Sequence, residues 1–434
     1  MDASPRRSAR PVGLHLVQTE APGAAPGEVP GGAQRWVPPW AAGDDLPPAS
    51  AAWREGDPVG RRQFFDLGDL ALECGVVLPD VRLAYETWGT LSPTGDNAVL
   101  VEHALTGDSH VTGPTGPGHP TEGWWDSLVG PGRPIDTDRW FVVAPNVVGG
   151  CQGSTGPATL APDGRPWAAR FPAVTIRDQV AAEIALTDAL GIDSWALVIG
   201  ASMGGMRVLE WAVMAPERVR GIAPIATTAA SSGDQIAWAH PQLTAIRGDA
   251  GWRGGDYYDA ATGEGPHVGL GIARQIAHTT YRSALELDKR FGRDAQPGED
   301  PLAGNGRYAV QSYLDHHARK LAWRFDANCY LVLTEAIMSH DVGRGRGGVA
   351  AALAAATARA LVVAVDTDRL YLPEQSEQMA AALPGADRVH YVRSDFGHDG
   401  FLVESDQVGA MVSAFLDQIP VTEAPSAEAP GADL

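Results

Sequence analysis

The sequence predicts an α/β fold: a mostly parallel sheet with helices on both faces and a helical domain inserted into it. Three observations carry that expectation. Short β-rich runs alternate with helical stretches, the order that builds parallel sheets. Runs such as WFVVA at 140–144 and WALVI at 195–199 are uncharged from end to end, as strands covered on both faces are. The alternation then stops for roughly 120 residues of polar, helical sequence before strand runs return.

Residues 1–50 are dominated by Ala, Pro and Gly (APGAAPGEVPGG, then PPWAAGDDLPPAS). Such a stretch buries too little apolar surface to offset its ordering entropy, so it reads as a disordered extension. The first part of the core is expected over 51–227. Within it 81–88, 98–102 and 140–144 read as strands and 177–190 (RDQVAAEIALTDAL) as a helix. Then come a strand at 195–199, a glycine-rich turn, a helix over 206–215 and a strand over 221–225. Residues 228–348, rich in Trp, Tyr, His and Arg, form the expected helical cap, or lid, over the carboxyl ends of the strands. The core resumes over 349–420, with strands at 361–365 (LVVAV) and 388–392 (RVHYV). Residues 421–434 read as a flexible tail.

Composition excludes several function classes. A formal net charge of -20 argues against nucleic acid, whose phosphates demand clustered Lys and Arg, and against anionic membrane surfaces. An anionic cosubstrate would need a local basic pocket. Hydrophobic residues at 44% supply a sizeable core. The apolar run 349–365 is broken by Thr357 and Arg359, so it reads as helix then strand rather than a membrane span. The three cysteines, Cys74, Cys151 and Cys329, are scattered and odd in number, which fits a reducing compartment without disulfides. No Cys/His group has zinc-ligand spacing, so no metal is expected. The N-terminus lacks the charged-then-apolar layout of a signal peptide, and a cytoplasmic location is expected.

The chemistry centres on Gly200-Ala201-Ser202-Met203-Gly204, a G-x-S-x-G segment. Alone the motif is weak. Here WALVI precedes it as a strand and MRVLEWAVMA follows it as a helix, and a sharp strand-to-helix turn exposes the serine hydroxyl at an elbow. This is the nucleophile turn of an α/β-hydrolase fold. The same turn aims the Met203 backbone N–H at the space above the hydroxyl, half of an oxyanion hole. A serine needs a base oriented by a carboxylate, following in the order Ser, Asp or Glu, His. His398, in the loop SDFGHDG after RVHYV, is the base. Asp366 and Asp368 both follow LVVAV. Asp368 is favoured because it lies beyond the strand with freedom to reach the imidazole, whereas Asp366 anchors the turn. Leu105, in the loop after 98–102, is the candidate for the second oxyanion N–H.

Several longer stretches resemble the homoserine O-acetyltransferase family. They are HALTGDSHV from His103, GWWDSLVGPGRPIDTDRWFVVAPNVVGGCQGSTGP from Gly123, FPAVTIRDQV from Phe171 and GASMGGM from Gly200. GLGIARQIAHTTYRS from Gly269, SHDVGRGRGG from Ser339, DTDRLY from Asp366 and FGHDGFLVE from Phe396 complete the set. The resemblance runs over about 60–418 and implies an α/β-hydrolase-fold enzyme with an inserted cap. It implies acylation of Ser202 by acetyl-CoA as cosubstrate, with no further cofactor, and transfer to L-homoserine. His398 would then be general base and acid, and Asp368 would orient it. The product is O-acetyl-L-homoserine for methionine biosynthesis. Arg274 matches the family arginine for the amino-acid carboxylate, a pairing suited to its fork. Asp399 matches the residue that receives the amino group, and Tyr281 assists in the same pocket. The resemblance further implies a homodimer formed through the cap. Tyr371 is followed by Leu372 before Pro373, where the family pattern has Pro directly.

Three rival readings remain at this level: a succinyl donor or serine acceptor, a plain esterase lacking an amino-acid clamp, and a non-catalytic binding protein. The segment 343–348 satisfies G-x-G-x-x-G but follows no strand, so it is a poor dinucleotide motif. Arg344 and Arg346 there serve an ordered return from cap to core. His103 shapes the oxyanion loop.

Overall fold

Apolar residues at period two build the sheet and give it two buried faces. In the computed structural model, which describes residues 37–304 and 306–420, the sheet strands are β1 (Gln63–Ala71), β2 (Val77–Trp88), β3 (Ala98–Glu102), β6 (Phe141–Pro145), β7 (Leu197–Ala201), β8 (Gly221–Ile225), β9 (Arg359–Val365) and β10 (Ala386–Val392). A separate pair, β4 (Val129–Gly130) and β5 (Ile135–Asp136), lies outside it. The order is β1-β2-β6-β3-β7-β8-β9-β10. Only the β1–β2 and β2–β6 pairs are antiparallel; the rest are parallel. Leu100, Val198, Ile222 and Val362 enter one apolar layer, and their neighbours Val101, Ile199, Ala223 and Val363 enter the other.

Helices cover both layers. Against the first lie α1 (Ile176–Ala189), α2 (Met203–Met214), α8 (Val349–Ala354) and α9 (Pro373–Ala382), through Val180, Trp211, Leu353 and Met379. Against the second lies α11 (Ser405–Leu416), preceded by the single turn α10 (Gly400–Val403). Helix α1 begins one residue before its expected start, where Thr175 and Asp178 form a capping box. Between β8 and α8 the chain leaves the sheet for α3 (Gly233–Arg247), α4 (His267–Tyr281), α5 (Ala284–Phe291), α6 (Ala309–Ala322) and α7 (Ala327–Met338). The apolar sides of α3, α4, α6 and α7 meet Leu105, Met203 and Tyr371 in a third cluster above the strand ends. The chain returns through 343–348, where Arg344 pairs with Glu73 and Arg346 with Glu210, both at 2.7 Å. Among the described residues no helix is long and apolar enough to cross a membrane.

Two expectations need correction. Strand β1 has no counterpart in the sequence reading: it sits at the sheet edge, buries little beyond Leu70, and is broken by register shifts at Asp66/Gly68 and Gly68/Leu70, so no alternation marks it. Residues 38–50, placed in the disordered extension, are folded. Ala41 is buried, the Trp40 ring lies on Gly271 of α4, and Ser50 Oγ donates to Asp326 at 2.7 Å. Docking on the cap supplies the apolar contact that this Pro-rich stretch cannot make with itself. The compact unit accordingly starts at Pro38. Residues 1–36 and the tail from 421 lie outside the described residues.

A buried ion cluster holds the centre. Arg207 of α2, with no solvent exposure, reaches Glu102 at 2.6 Å, Glu183 at 2.8 Å and the carbonyl of His103 at 2.7 Å. Burial pushes the Glu102 carboxyl well up, with the neighbouring Glu183 adding to it, against the pull of Arg207. Replacing Arg207 by Met should cost about 3–5 kcal/mol, because it leaves buried carboxyls uncompensated. Denaturant unfolding measures this, and Glu183→Gln in the same background should recover part of the loss. An unchanged midpoint for Arg207→Met would contradict the account.

Candidate active site

The site begins with a strained backbone. Ser202, between β7 and α2, has φ 57 and ψ -123, a region that residues with a Cβ rarely enter. Its N–H donates to Ile225 O at 3.0 Å, and its carbonyl accepts from Thr227 Oγ1 at 2.7 Å. The flanking glycines are required by close approach: a Cβ on Gly204 would lie 2.1 Å from the Glu102 carbonyl oxygen. The turn thus presses α2 against the end of β3 and leaves Ser202, 7% exposed, at the carboxyl edge of the sheet.

Helix α2 starts at Met203 itself, three residues earlier than expected, so the Met203 N–H is a first-turn amide beside Ser202. Leu105 is buried in the same apolar cluster as Met203, Met206 and Tyr371. Its loop is held by His103, whose Nδ1 bonds Ala104 O at 2.8 Å while Nε2 accepts from Val147 N–H at 3.2 Å. Burial drives the His103 imidazole well down, with Arg207 adding to it, and both nitrogens are committed. His103 therefore braces the loop and has no lone pair left to act as a base.

His398 lies in a single turn after β10, and Asp368 follows β9. Nδ1 of His398 and Oδ2 of Asp368 are 2.7 Å apart in a buried pair. The other oxygen, Oδ1, accepts from the N–H groups of Leu370 (2.8 Å) and Tyr371 (2.9 Å), which fixes the carboxylate. Asp366 instead accepts from Ser394 N–H at 3.0 Å and pairs with Arg393 at 3.2 Å, tying β9 to β10. Burial disfavours the His398 imidazolium, but Asp368 and then Asp399 outweigh it, so the ring holds a proton above the ordinary imidazole value. Nε2 remains as the nitrogen turned from the carboxylate.

Sequence reasoning missed Tyr371. Its buried ring lies 5.2 Å from that of His398, and its hydroxyl neighbours Ser202. Burial pushes the phenol well above its ordinary value, against the pull of its contact with Ser202. The signal was in the sequence: Tyr371 ends DTDRLY, three residues past Asp368. The extra Leu372 is absorbed as the residue preceding α9, whose first residue is Pro373.

On the cap side, α4 brings Arg274 and Tyr281 to the same space. The Arg274 guanidinium lies 5.4 Å from the Tyr281 ring centre, and the Tyr281 ring is 5.7 Å from that of His398. Nη1 of Arg274 is buried without a partner. An unmet cationic donor in a closed site is costly unless an anion arrives. Asp399 meets Arg282 at 3.5 Å, a long contact, while Arg282 also pairs with Glu286 at 3.2 Å. Burial raises the Asp399 carboxyl against the pull of His398, Arg274 and Arg282.

One metal-like cluster lies elsewhere: Glu86, His110 and His119 place ligand atoms within 4.8 Å. Its imidazoles stack at 3.8 Å, only 9° from parallel, so their in-plane lone pairs cannot converge on one ion. His119 Nε2 already accepts from Arg61 N–H at 3.0 Å. The group is a hydrogen-bonded brace between β2 and the loop after Leu105.

Known proteins match this arrangement. The family model for the alpha/beta hydrolase fold matches residues 97–405. The homoserine O-acetyltransferase of Thermobifida fusca is 62% identical over 372 residues, covering 86% of this chain and 98% of that protein. Among solved structures, the homoserine O-acetyltransferase from Bacillus anthracis aligns with a TM-score of 0.76 at 25% identity, over 82% of this chain and 98% of that one. Esterase E22 aligns with a TM-score of 0.74 at 27% identity, over 82% and 99%.

Two expectations follow from the geometry. Because a raised imidazole pKa must be passed before the ring can accept a proton, kcat/KM should fall on acidification from a pH above the usual imidazole range. Asp368→Asn should lower the rate about 10⁴-fold and move that acid limb to lower pH, read from a pH–rate profile. Tyr371→Phe, which keeps the ring and removes the hydroxyl, should slow acylation of Ser202 roughly five- to tenfold in single-turnover kinetics.

Proposed function

This chain belongs to the homoserine O-acetyltransferase family of the α/β-hydrolase fold, and we propose that it moves an acetyl group from acetyl-CoA to the side-chain hydroxyl of L-homoserine through an ester on Ser202. The observation that carries the reading is the buried His398–Asp368 pair joined to the serine turn through Tyr371, with the unmet Nη1 of Arg274 facing the same space. The pair can run acyl transfer, and the arginine gives the acceptor a carboxylate handle.

In the first half-reaction His398 Nε2 takes the Ser202 proton as Oγ attacks the thioester carbonyl. The resulting oxyanion is held by the Leu105 and Met203 N–H groups, each contributing about 3 kcal/mol. The carbon–sulfur bond breaks, the thiolate takes the proton from His398, and CoA leaves. In the second half Arg274 binds the carboxylate of homoserine and Asp399 its ammonium group, beside Tyr281. His398 removes the hydroxyl proton, the oxygen attacks the ester, and Ser202 departs with that proton. Asp399 must exchange its long contact to Arg282 for the ammonium group, a shift its 3.5 Å separation makes inexpensive.

The rival is an esterase, the activity named for a solved structure of similar TM-score. Water would then take the place of the amino acid. Against this stand the near-closure of Ser202 and the clamp, both of which favour a bound acceptor over water.

Incubation with acetyl-CoA alone should add an acetyl group to the Ser202 peptide, seen by mass spectrometry. Ser202→Ala should abolish the adduct and lower turnover about 10⁴-fold or more. An unmodified peptide in the wild type would sink the covalent route. Arg274→Ala should raise the homoserine KM while leaving hydrolysis of a small aryl ester near its wild-type rate; equal loss in both assays would favour a structural role for the arginine.

A further inference from the structure

In a chain of formal net charge -20, one cavity of about 360 Å³ gathers cations. His316, Arg319, Lys320, Trp323 and Arg324 line it from the end of α6, faced by the turn at 120–121. The five fall at i, i+3, i+4, i+7 and i+8, one helical face. Trp323 is 43% exposed, an unusual placement for so large an apolar ring. Lys320 is exposed and has no ion-pair partner among the described residues. Arg319 pairs with Asp45, and Arg324 lies 3.9 Å from Asp108.

Two sets of contacts run from the groove toward the active site. Arg324 donates to the carbonyl of Thr106, the residue after Leu105, so one groove residue touches the proposed oxyanion loop. A chain of rings also leads inward: His316 to His317 at 5.3 Å, His317 to His278 at 3.9 Å, His278 to Tyr281 at 5.5 Å, and Tyr281 to His398 at 5.7 Å. Burial, then Arg274, holds His278 far down and His317 down to about 4, so these packed rings are neutral.

We propose that this groove is the subsite for the phosphate-bearing end of coenzyme A. Lys320 and Arg319 take phosphate oxygens, Trp323 stacks on the adenine, and the pantetheine arm runs inward past Arg324 and Thr106 to Ser202. The assignment rests on the acetyl-CoA reading above and adds where the donor's charged end sits. Cations in the last turn of a helix also complement its dipole. That role requires no exposed indole beside them.

The test compares acetyl-CoA with S-acetylpantetheine, which keeps the thioester and arm but lacks the phosphates and adenine. Wild-type kcat/KM should be higher for acetyl-CoA. Lys320→Glu and Trp323→Ala should each raise KM for acetyl-CoA about tenfold, since each removes a contact of that order. KM for homoserine and kcat/KM for S-acetylpantetheine should stay within about twofold of wild type, because neither molecule extends to Lys320 or Trp323. Added salt should weaken the acetyl-CoA preference. Equal losses on both donors, or no loss on either, overturn the assignment. A wild type that uses the two donors equally well also overturns it while leaving the thioester reading intact. A wild type that takes acetyl from neither overturns that reading as well.

Discussion

The turn at Ser202 is the constraint on which the rest of the molecule depends. Its backbone sits in a region that costs on the order of 1–3 kcal/mol for a residue with a side chain. The cost is sustained because everything around the turn is fixed. Gly204 lies against the Glu102 carbonyl, Thr227 and Ile225 hold the Ser202 peptide, and Arg207 one turn further along α2 is locked between two carboxyls and the His103 carbonyl. The ion cluster thus does for the turn what a metal does in other small sites: it draws β3, α1 and α2 to one point.

From that point the candidate site residues are distributed along the carboxyl edge of the sheet, each by a different strand. β3 leads to Leu105, β7 to Ser202, β9 to Asp368 and β10 to His398. Parallel strands place all four ends at one rim, and the inserted helices close over it with Arg274 and Tyr281. The second layer of contacts then sets the chemistry. Asp368 is held by two backbone amides before it meets the imidazole, and His103 is spent on bracing a loop.

Electrostatics divides the same way. An acidic surface surrounds a site whose cap side is cationic, with Arg274 and Arg282 near the imidazole and Lys320 and Arg319 further out. An amino acid and a thioester of a phosphorylated carrier would meet opposite ends of that gradient. The neutral imidazoles of His278 and His317 lie between them, kept uncharged by burial and by the cations themselves.

The strand runs and the strand-to-helix turn at Ser202 were legible in the sequence because each depends on neighbours within a few residues. WALVI before Gly200 and a helix after it specify an elbow, and 228–348 lacks strand periodicity wherever it sits. Other features were decided by contacts between distant segments. β1 exists because β2 offers it an edge, and 38–50 is ordered because α4 and Asp326 receive it. Asp368 was favoured over Asp366 for its place beyond the strand, but the reach to the imidazole comes from where β10 places His398. Tyr371 acquires its place beside Ser202 only when β7 and the loop after β9 meet at the rim. Local pattern determines which elements form; side-chain partners across the chain require packing, because a hydrogen bond or ion pair is set by distance in space and leaves no period in the sequence.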